Sequence, residues 1–216
     1  KEFLFLTNSS RYTPKELQKK LEWMGLDVDQ SHFYTSALAT AAFISTQTPE
    51  ATAYAVGEHG LQNALYDAGI TVNEIHPDYV IIGEADNYCY DHIVKATRFV
   101  NEGTNYDLTG PVEGGIVPAC RALMAPIELA TGKQAYYVGK PNALMMRTGL
   151  RILGVHSEDA AIIGDRMDTD IVAGIESGLD TVLVLSGVTT PGMIEEFPYR
   201  PRLVCNGIGD IAVLDH

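Results

Sequence analysis

The sequence predicts an α/β fold, a doubly wound parallel sheet with helices on both faces, and three observations lead there. Short apolar runs recur along the chain, at Phe3–Leu6, Ala53–Val56, Tyr79–Ile82, Ala135–Val138, Ala160–Ile163 and Thr181–Leu185. Their unbroken apolar character suits strands buried on both faces. Helical patterns with recognisable start and stop residues lie between them, joined by short connections.

Taken in order, Phe3–Leu6 ends in Thr7-Asn8-Ser9-Ser10. Thr13-Pro14 then reads as N-cap and first helical residue, with Glu16 in the first turn and Gly25 as the stop. Leu17, Leu21 and Met24 share one face, and Trp23 and Met24 are expected in the core. Ser36–Ile44 reads as an Ala-rich helix. Leu61–Ala68 is a helix ended by Gly69, and Tyr90–Val100 one ended by Asn101-Glu102-Gly103. A Gly-, Pro- and Thr-rich loop is expected from Thr104 to Val117, followed by a helix near Ala119–Ala130. Asn142–Leu153 and Asp168–Ser177 are helices, the second stopped by Gly178, and the tail beyond Pro191 is expected to add a pair of short strands.

Composition narrows the function. The 216 residues allow one large domain or two small ones. A net charge of −13 argues against nucleic acid or an anionic membrane as partner, because both demand a basic patch. Cys89, Cys120 and Cys205 are odd in number and lack CxxC spacing, so a reducing cytoplasm is expected instead of a disulfide framework or zinc site. Cys120 reads as a small buried residue and the six histidines as structural or surface groups. No apolar run reaches the ~18 residues that span a bilayer, and nothing at the N-terminus resembles a signal peptide.

Ligands of such sheets bind beyond the carboxyl ends of the strands. Three polar clusters follow predicted strands: Thr7-Asn8-Ser9-Ser10, Gly139-Lys140-Pro141, and GDRMDTD from Gly164 to Asp170. Singly, each has a plain reading as helix capping or a solvated loop. Together they assemble hydroxyl and amide donors, an ammonium and carboxylates, the set that phosphoryl transfer needs. Thr7, Asn8 and Ser9 offer donors to phosphate oxygens, Lys140 neutralises developing charge, and Asp165 suits Mg²⁺. Of Asp168 and Asp170, one is expected to cap the helix and one to orient the metal's waters or Lys140. Arg166 either pairs with Asp168 or lines the entrance.

The TNSS, VGKP, IIGDRMDTDI, SGLDT and LVLSGV stretches, with YTSALATAAFI, PDYVIIGE and TNYDLTGP…PAC, resemble the haloacid dehalogenase superfamily, specifically its NagD-like branch, across nearly the whole chain. The resemblance implies a Rossmann-like core, residues 1–50 and 135–216, with an inserted C2-type α/β cap, residues 51–134. It implies a Mg²⁺-dependent phosphatase of small phosphorylated metabolites, sugar phosphates or nucleoside monophosphates, acting through an aspartyl-phosphate. Thr7 then supplies the phosphate hydroxyl with Asn8 beside it, Lys140 stabilises the phosphoryl group, Asp165 binds the metal and Asp170 supports it. Asn105 and Asp107, near Leu108-Thr109-Gly110, fall on the cap loop that faces the active site, and a homodimer is compatible with the branch.

Two departures accompany the resemblance. The Asp-x-Asp strand that carries nucleophile and general acid is expected upstream of Phe3. Asp27-Val28-Asp29 has no apolar strand before it and reads as a polar turn. A short apolar strand expected between Gly103 and Thr104 is missing as well. Both fit a longer protein. Three rivals are a binding protein that has lost its nucleophile, a phosphotransferase, and a dinucleotide oxidoreductase, the last weak because no GxGxxG follows a strand.

Overall fold

The computed structural model describes residues 2–103, 105–108 and 120–213, the side chains of 105–108, 212 and 213 excepted. Two compact units divide between Gly139 and Lys140.

The first unit opens with β1 (Phe5–Thr7), α1 (Pro14–Trp23), β2 (Phe33–Thr35) and α2 (Ser36–Gln47). β1 and β2 pair in parallel, Thr7 opposite Thr35. A capping box starts α1: Thr13 Oγ1 accepts the Glu16 N–H at 3.2 Å, and the Glu16 carboxylate accepts the Thr13 N–H at 2.8 Å. The stop residue Gly25 has φ +85°, the left-handed value that glycine tolerates. Trp23 and Met24 depart from expectation: they are 88% and 75% exposed, and α1 has no fully buried residue. The helix packs chiefly on Gln30–His32 and β2, which leaves its last turn uncovered.

The same unit continues with β3 (Thr52–Val56), α3 (His59–Asp67), β4 (Thr71–Val72), β5 (Tyr79–Ile82), α4 (Tyr90–Asn101), β6 (Asn105–Leu108), α5 (Cys120–Thr131) and β7 (Tyr136–Tyr137). Its five strands are parallel in the order β4-β3-β5-β6-β7. Alternate residues of β3 and β5 serve two cores. Ala53, Tyr79 and Ile81 pack with α2 and α3 through Ile44, Leu61 and Leu65. Tyr54, Val56, Val80 and Ile82 pack with α4 and α5 through Phe99, Met124 and Ile127. Helices therefore cover both faces, as the apolar runs require. The strand order reverses between β3 and β5, whose carboxyl ends run into Gly57-Glu58 and Gly83-Glu84.

β6 corrects the expected loop. The polar segment Asn105–Leu108 is a strand because β5 and β7 pair with it on either side; Thr104 and residues 109–119 lie outside the described residues. β6 lies after Thr104, between β5 and β7 in the sheet, and is not the apolar strand expected between Gly103 and Thr104.

The second unit contains α6 (Ala143–Leu153), β8 (Ala161–Gly164), α7 (Val172–Ser177), β9 (Asp180–Val184), α8 (Pro191–Ile194) and β10 (Leu203–Cys205). β10, β9 and β8 form a parallel sheet in that order. Met167, Ile171, Leu183 and Ile194 fill its core. The tail contributes one strand among the described residues, β10, where a pair was expected. Between β8 and α7 the backbone makes a π-helical turn, Met167–Ile171, with the Ile171 N–H donating to Arg166 C=O at 3.1 Å.

Candidate active site

In the first unit the candidate residues are consecutive at the end of β1. Thr7 Oγ1 accepts the Ser9 N–H at 3.1 Å, which fixes the orientation of its hydroxyl. Asn8 is buried, and its carbonyl accepts from Ser36 Oγ at 2.5 Å. Ser9 donates its own hydroxyl to Glu84 Oε2 at 2.9 Å. The backbone N–H groups of Ser10 and Arg11 converge on the same oxygen, at 3.2 and 3.0 Å. Ser10 Oγ in turn accepts the Glu84 N–H at 2.9 Å. Arg11 forks onto Asp86 at 2.7 and 2.6 Å.

Glu84 is 2% exposed and, among the described residues, its Oε1 has no hydrogen-bond partner. Burial pushes its carboxyl above the usual range, opposed by the donors on Oε2 and the nearby Arg11 charge. Sequence reading had given this residue no role. The available signal was that two buried strands, β3 and β5, both end in Gly-Glu.

In the second unit a cis peptide joins Lys140 to Pro141, and the next residue, Asn142, caps α6 through its Oδ1, which accepts the Leu144 N–H at 2.8 Å. Lys140 Nζ donates to Asp170 Oδ1 at 2.7 Å, with side chains only 14% and 8% exposed. Asp170 Oδ2 accepts the Arg166 N–H at 3.2 Å. Gly164 makes room for this carboxylate: a Cβ there would lie 2.5 Å or less from three Asp170 side-chain atoms. Of the two roles expected for Asp170, the geometry displays the bond to Lys140.

Asp165 is held by the segment after β9. Its Oδ2 accepts the Val188 N–H at 2.8 Å and its carbonyl accepts the Thr189 N–H at 3.1 Å. A Cβ on Gly187 would sit 2.1 Å from Oδ2, so only glycine permits this approach. Among the described residues the side-chain bond to Asp165 falls on Oδ2 and not on Oδ1. Among the described residues no group of three or more His, Cys, Asp or Glu converges as a metal site. One fixed carboxylate oxygen fits Mg²⁺ provided that water, phosphate and another carboxylate complete its shell. Arg166 is taken by Asp168 through bonds of 3.0 and 2.7 Å. That fork holds the Asp168 carboxyl below its usual range and the guanidinium above its own.

The backbones of Asn105 and Asp107 lie on β6, while their side chains lie outside the described residues. Cys120 is buried and its S–H donates to the Ile82 carbonyl. No helix of the described residues is long and apolar enough to cross a membrane.

Comparison with known proteins adds two family profiles. The one described as haloacid dehalogenase-like hydrolase matches residues 1–71, and the HAD-hydrolase-like one matches residues 137–211. The dihydroxyacetone phosphatase of Corynebacterium glutamicum is 45% identical over 216 residues, covering 98% of this chain and 78% of the relative. The ribonucleotide monophosphatase NagD of Escherichia coli is 42% identical over 213 residues, covering 98% and 85%. Among solved structures, the p-nitrophenyl phosphatase from Archaeoglobus fulgidus superposes with a TM-score of 0.93 at 31% identity, covering 99% of this chain and 86% of that one.

Proposed function

The chain belongs to the haloacid dehalogenase-like hydrolases, in the NagD-like branch of subfamily IIA, and is a phosphatase of that superfamily; on that premise we propose that it hydrolyses small phosphomonoesters through an aspartyl-phosphate with Mg²⁺ as cofactor. The substrates are sugar phosphates or nucleoside monophosphates, the classes named for its relatives. The observation that carries the reading is the Lys140–Asp170 pair, an ammonium held at 2.7 Å by a buried carboxylate.

Thr7 and Asn8 bind the phosphate oxygens, and Ser9 contributes through its N–H on Thr7. Lys140 offsets negative charge that builds on the transferring group. A carboxylate from a segment before Phe3 attacks phosphorus, so that an Asp O–P bond forms and the ester P–O bond breaks. A second carboxyl two residues on gives its proton to the leaving oxygen. It then takes a proton from the water that cleaves the aspartyl-phosphate, releasing orthophosphate. Bound Mg²⁺ would add charge neutralisation at the phosphoryl oxygens, held in part by Asp165.

Each unit, taken by itself, has an edge strand. Among the described residues β1 pairs only with β2, and β8 only with β9. Phe5 on β1 and Ile163 on β8 are 42% and 43% exposed, apolar groups that a neighbouring strand would cover. The reading also assigns residues 51–134 to a cap inserted in a core of residues 1–50 and 135–216, with Asn105 and Asp107 selecting substrate. β7 adds two residues from the core side of that boundary to the cap's sheet. The cytoplasm is its place, on the cysteine usage.

The test is a turnover panel on the full-length protein, with p-nitrophenyl phosphate, dihydroxyacetone phosphate and nucleoside monophosphates, in Mg²⁺ and in EDTA. Turnover in Mg²⁺ alone is expected, with acid-quenched protein carrying labelled phosphate. Failure on every ester, by protein whose intact mass includes the Asp-x-Asp segment, would overturn the proposal.

A further inference from the structure

The crevice where an open parallel sheet reverses its strand order is the usual place for a ligand. In the five-stranded sheet that crevice lies past the ends of β3 and β5, and this chain's own segment Ser9–Tyr12 fills it. From the β5 side, Glu84 collects the Ser9 hydroxyl and the Ser10 and Arg11 N–H groups on one oxygen. From the β3 side, the Gly60 N–H donates to the Arg11 carbonyl at 2.9 Å. The approach there is so close that a Cβ on Gly60 would lie 2.6 Å from Ser10 O and 2.7 Å from Tyr12 O.

We infer that Glu84 is a positioning residue for phosphate binding: through Ser9 it fixes Thr7, and so sets the geometry of the donors at the end of β1. The inference rests on the reading of Thr7 and Asn8 as phosphate ligands. The chain of contacts is short. Glu84 Oε2 holds Ser9 by its hydroxyl, and the Ser9 N–H holds Thr7 Oγ1 at 3.1 Å, so the Thr7 hydroxyl proton is aimed away from Ser9. The Ser10 and Arg11 N–H groups are committed to Glu84, which restricts phosphate to donors nearer the strand end.

A stability role alone accounts poorly for an acid here. Arg11 forks onto Asp86 and not onto Glu84, and Glu84 Oε1 is buried without a partner. Burying a carboxylate with one oxygen unpaired opposes folding. What the acid offers over an apolar residue is one oxygen that three successive donors share, which defines the shape of the segment directly after Thr7 and Asn8.

The experiment uses the full-length protein, with p-nitrophenyl phosphate as substrate and orthophosphate as inhibitor. Glu84→Ala is expected to raise KM and the orthophosphate Ki together, by about tenfold or more, as lost positioning of a binding group does. Glu84→Gln, which keeps an acceptor oxygen for the three donors, is expected to recover both to within about threefold. Thr7→Ala, run in parallel, separates the two readings. If it raises Ki while Glu84→Ala leaves KM and Ki within twofold of the parent, the inference fails and the phosphate site stands. If Thr7→Ala changes neither constant, the phosphate reading fails and takes the inference with it. Should Glu84→Ala not fold, Ser9→Ala removes the hydroxyl bound to Glu84 but keeps the N–H bound to Thr7. A rise in Ki of about threefold is then expected, and an unchanged Ki overturns the inference.

Discussion

At Lys140 a largely shielded charge meets its opposite at 2.7 Å, whereas the buried Glu84 carboxylate accepts from a hydroxyl and two backbone N–H groups, with the Arg11 charge nearby. The Lys140 and Asp170 side chains are 14% and 8% exposed, and Glu84 is 2% exposed. In the first, each partner stabilises the other, and removing either strands a charge. In the second, donors arrive from the backbone and a hydroxyl, so the segment's shape depends on the acid more than the acid's charge depends on the segment. The contrast separates a residue proposed to act on the phosphoryl group from one inferred to shape its seat.

The sharpest way to break the comparison is Lys140→Ala. It should lower kcat by about 10³-fold, since a charge that stabilises the transition state is lost. It should also leave Asp170 buried without its partner, destabilising the fold by about 3–5 kcal/mol. Single-turnover kinetics and thermal melts measure the two effects separately. A change in KM alone would mean that Lys140 binds ground and transition state equally.

Next in size is Gly187→Ala. The new Cβ collides with Asp165 Oδ2, so the carboxylate must move. The Mg²⁺ concentration for half-maximal turnover should rise about tenfold with little loss of fold, by the cost of a misplaced ligand. A metal titration at saturating substrate checks it, and an unchanged midpoint would remove Asp165 from the metal site.

Glu84→Gln sharpens the other side. Burial raises the Glu84 carboxyl above its unfolded value, so the folded state holds its proton more tightly. That contribution is fully present below the unfolded pKa and is lost as pH rises through the folded one. Glutamine does not titrate. The variant's Tm minus the parent's should therefore grow with pH across that window, reaching a few degrees, about 1 kcal/mol. A Tm difference that stays flat with pH would mean that burial of the Glu84 carboxyl does not affect stability.

Much of this was legible in the residues. Thr13-Pro14-Lys15-Glu16 announces its capping box because every partner lies within four residues. Tyr79–Ile82 announces a strand buried on both faces. The polar Asn105–Leu108 does not, because its strand character comes from pairing with β5 and β7. Phe33–Thr35 was hidden for a related reason: three residues are too few for a period, and Thr35 also caps α2. Trp23 followed the apolar rule for a helix face, yet nothing among the described residues covers that turn. The Gly139-Lys140-Pro141 and Gly164–Asp170 clusters were visible as candidates because their residue types are unusual at strand ends. Glu84 was not, since its partners lie 73 to 75 positions away and only the folded crevice joins them.

The smallest expected effect belongs to Asp168→Asn, and it asks whether Arg166 is spent or in reserve. The Arg166–Asp168 fork is partly exposed, with side chains 35% and 52% accessible, and it joins residues only two apart. Such pairs contribute about 0.5 kcal/mol or less once water screens them. The fork depresses the Asp168 carboxyl, so its contribution is present above the ordinary carboxylate value and is lost as pH falls through the lowered one. Parent and variant should thus differ by a degree or two in Tm at neutral pH, and the difference should vanish in strong acid. Activity should stay within about twofold, because Asp168 is engaged by Arg166, whereas Lys140 is held by Asp170 and Asp165 by the Val188 N–H. A larger change in kcat/KM at unchanged Tm would mean that releasing Arg166 alters how substrate enters. The guanidinium would then belong with Lys140 on the side of the comparison that acts on phosphate.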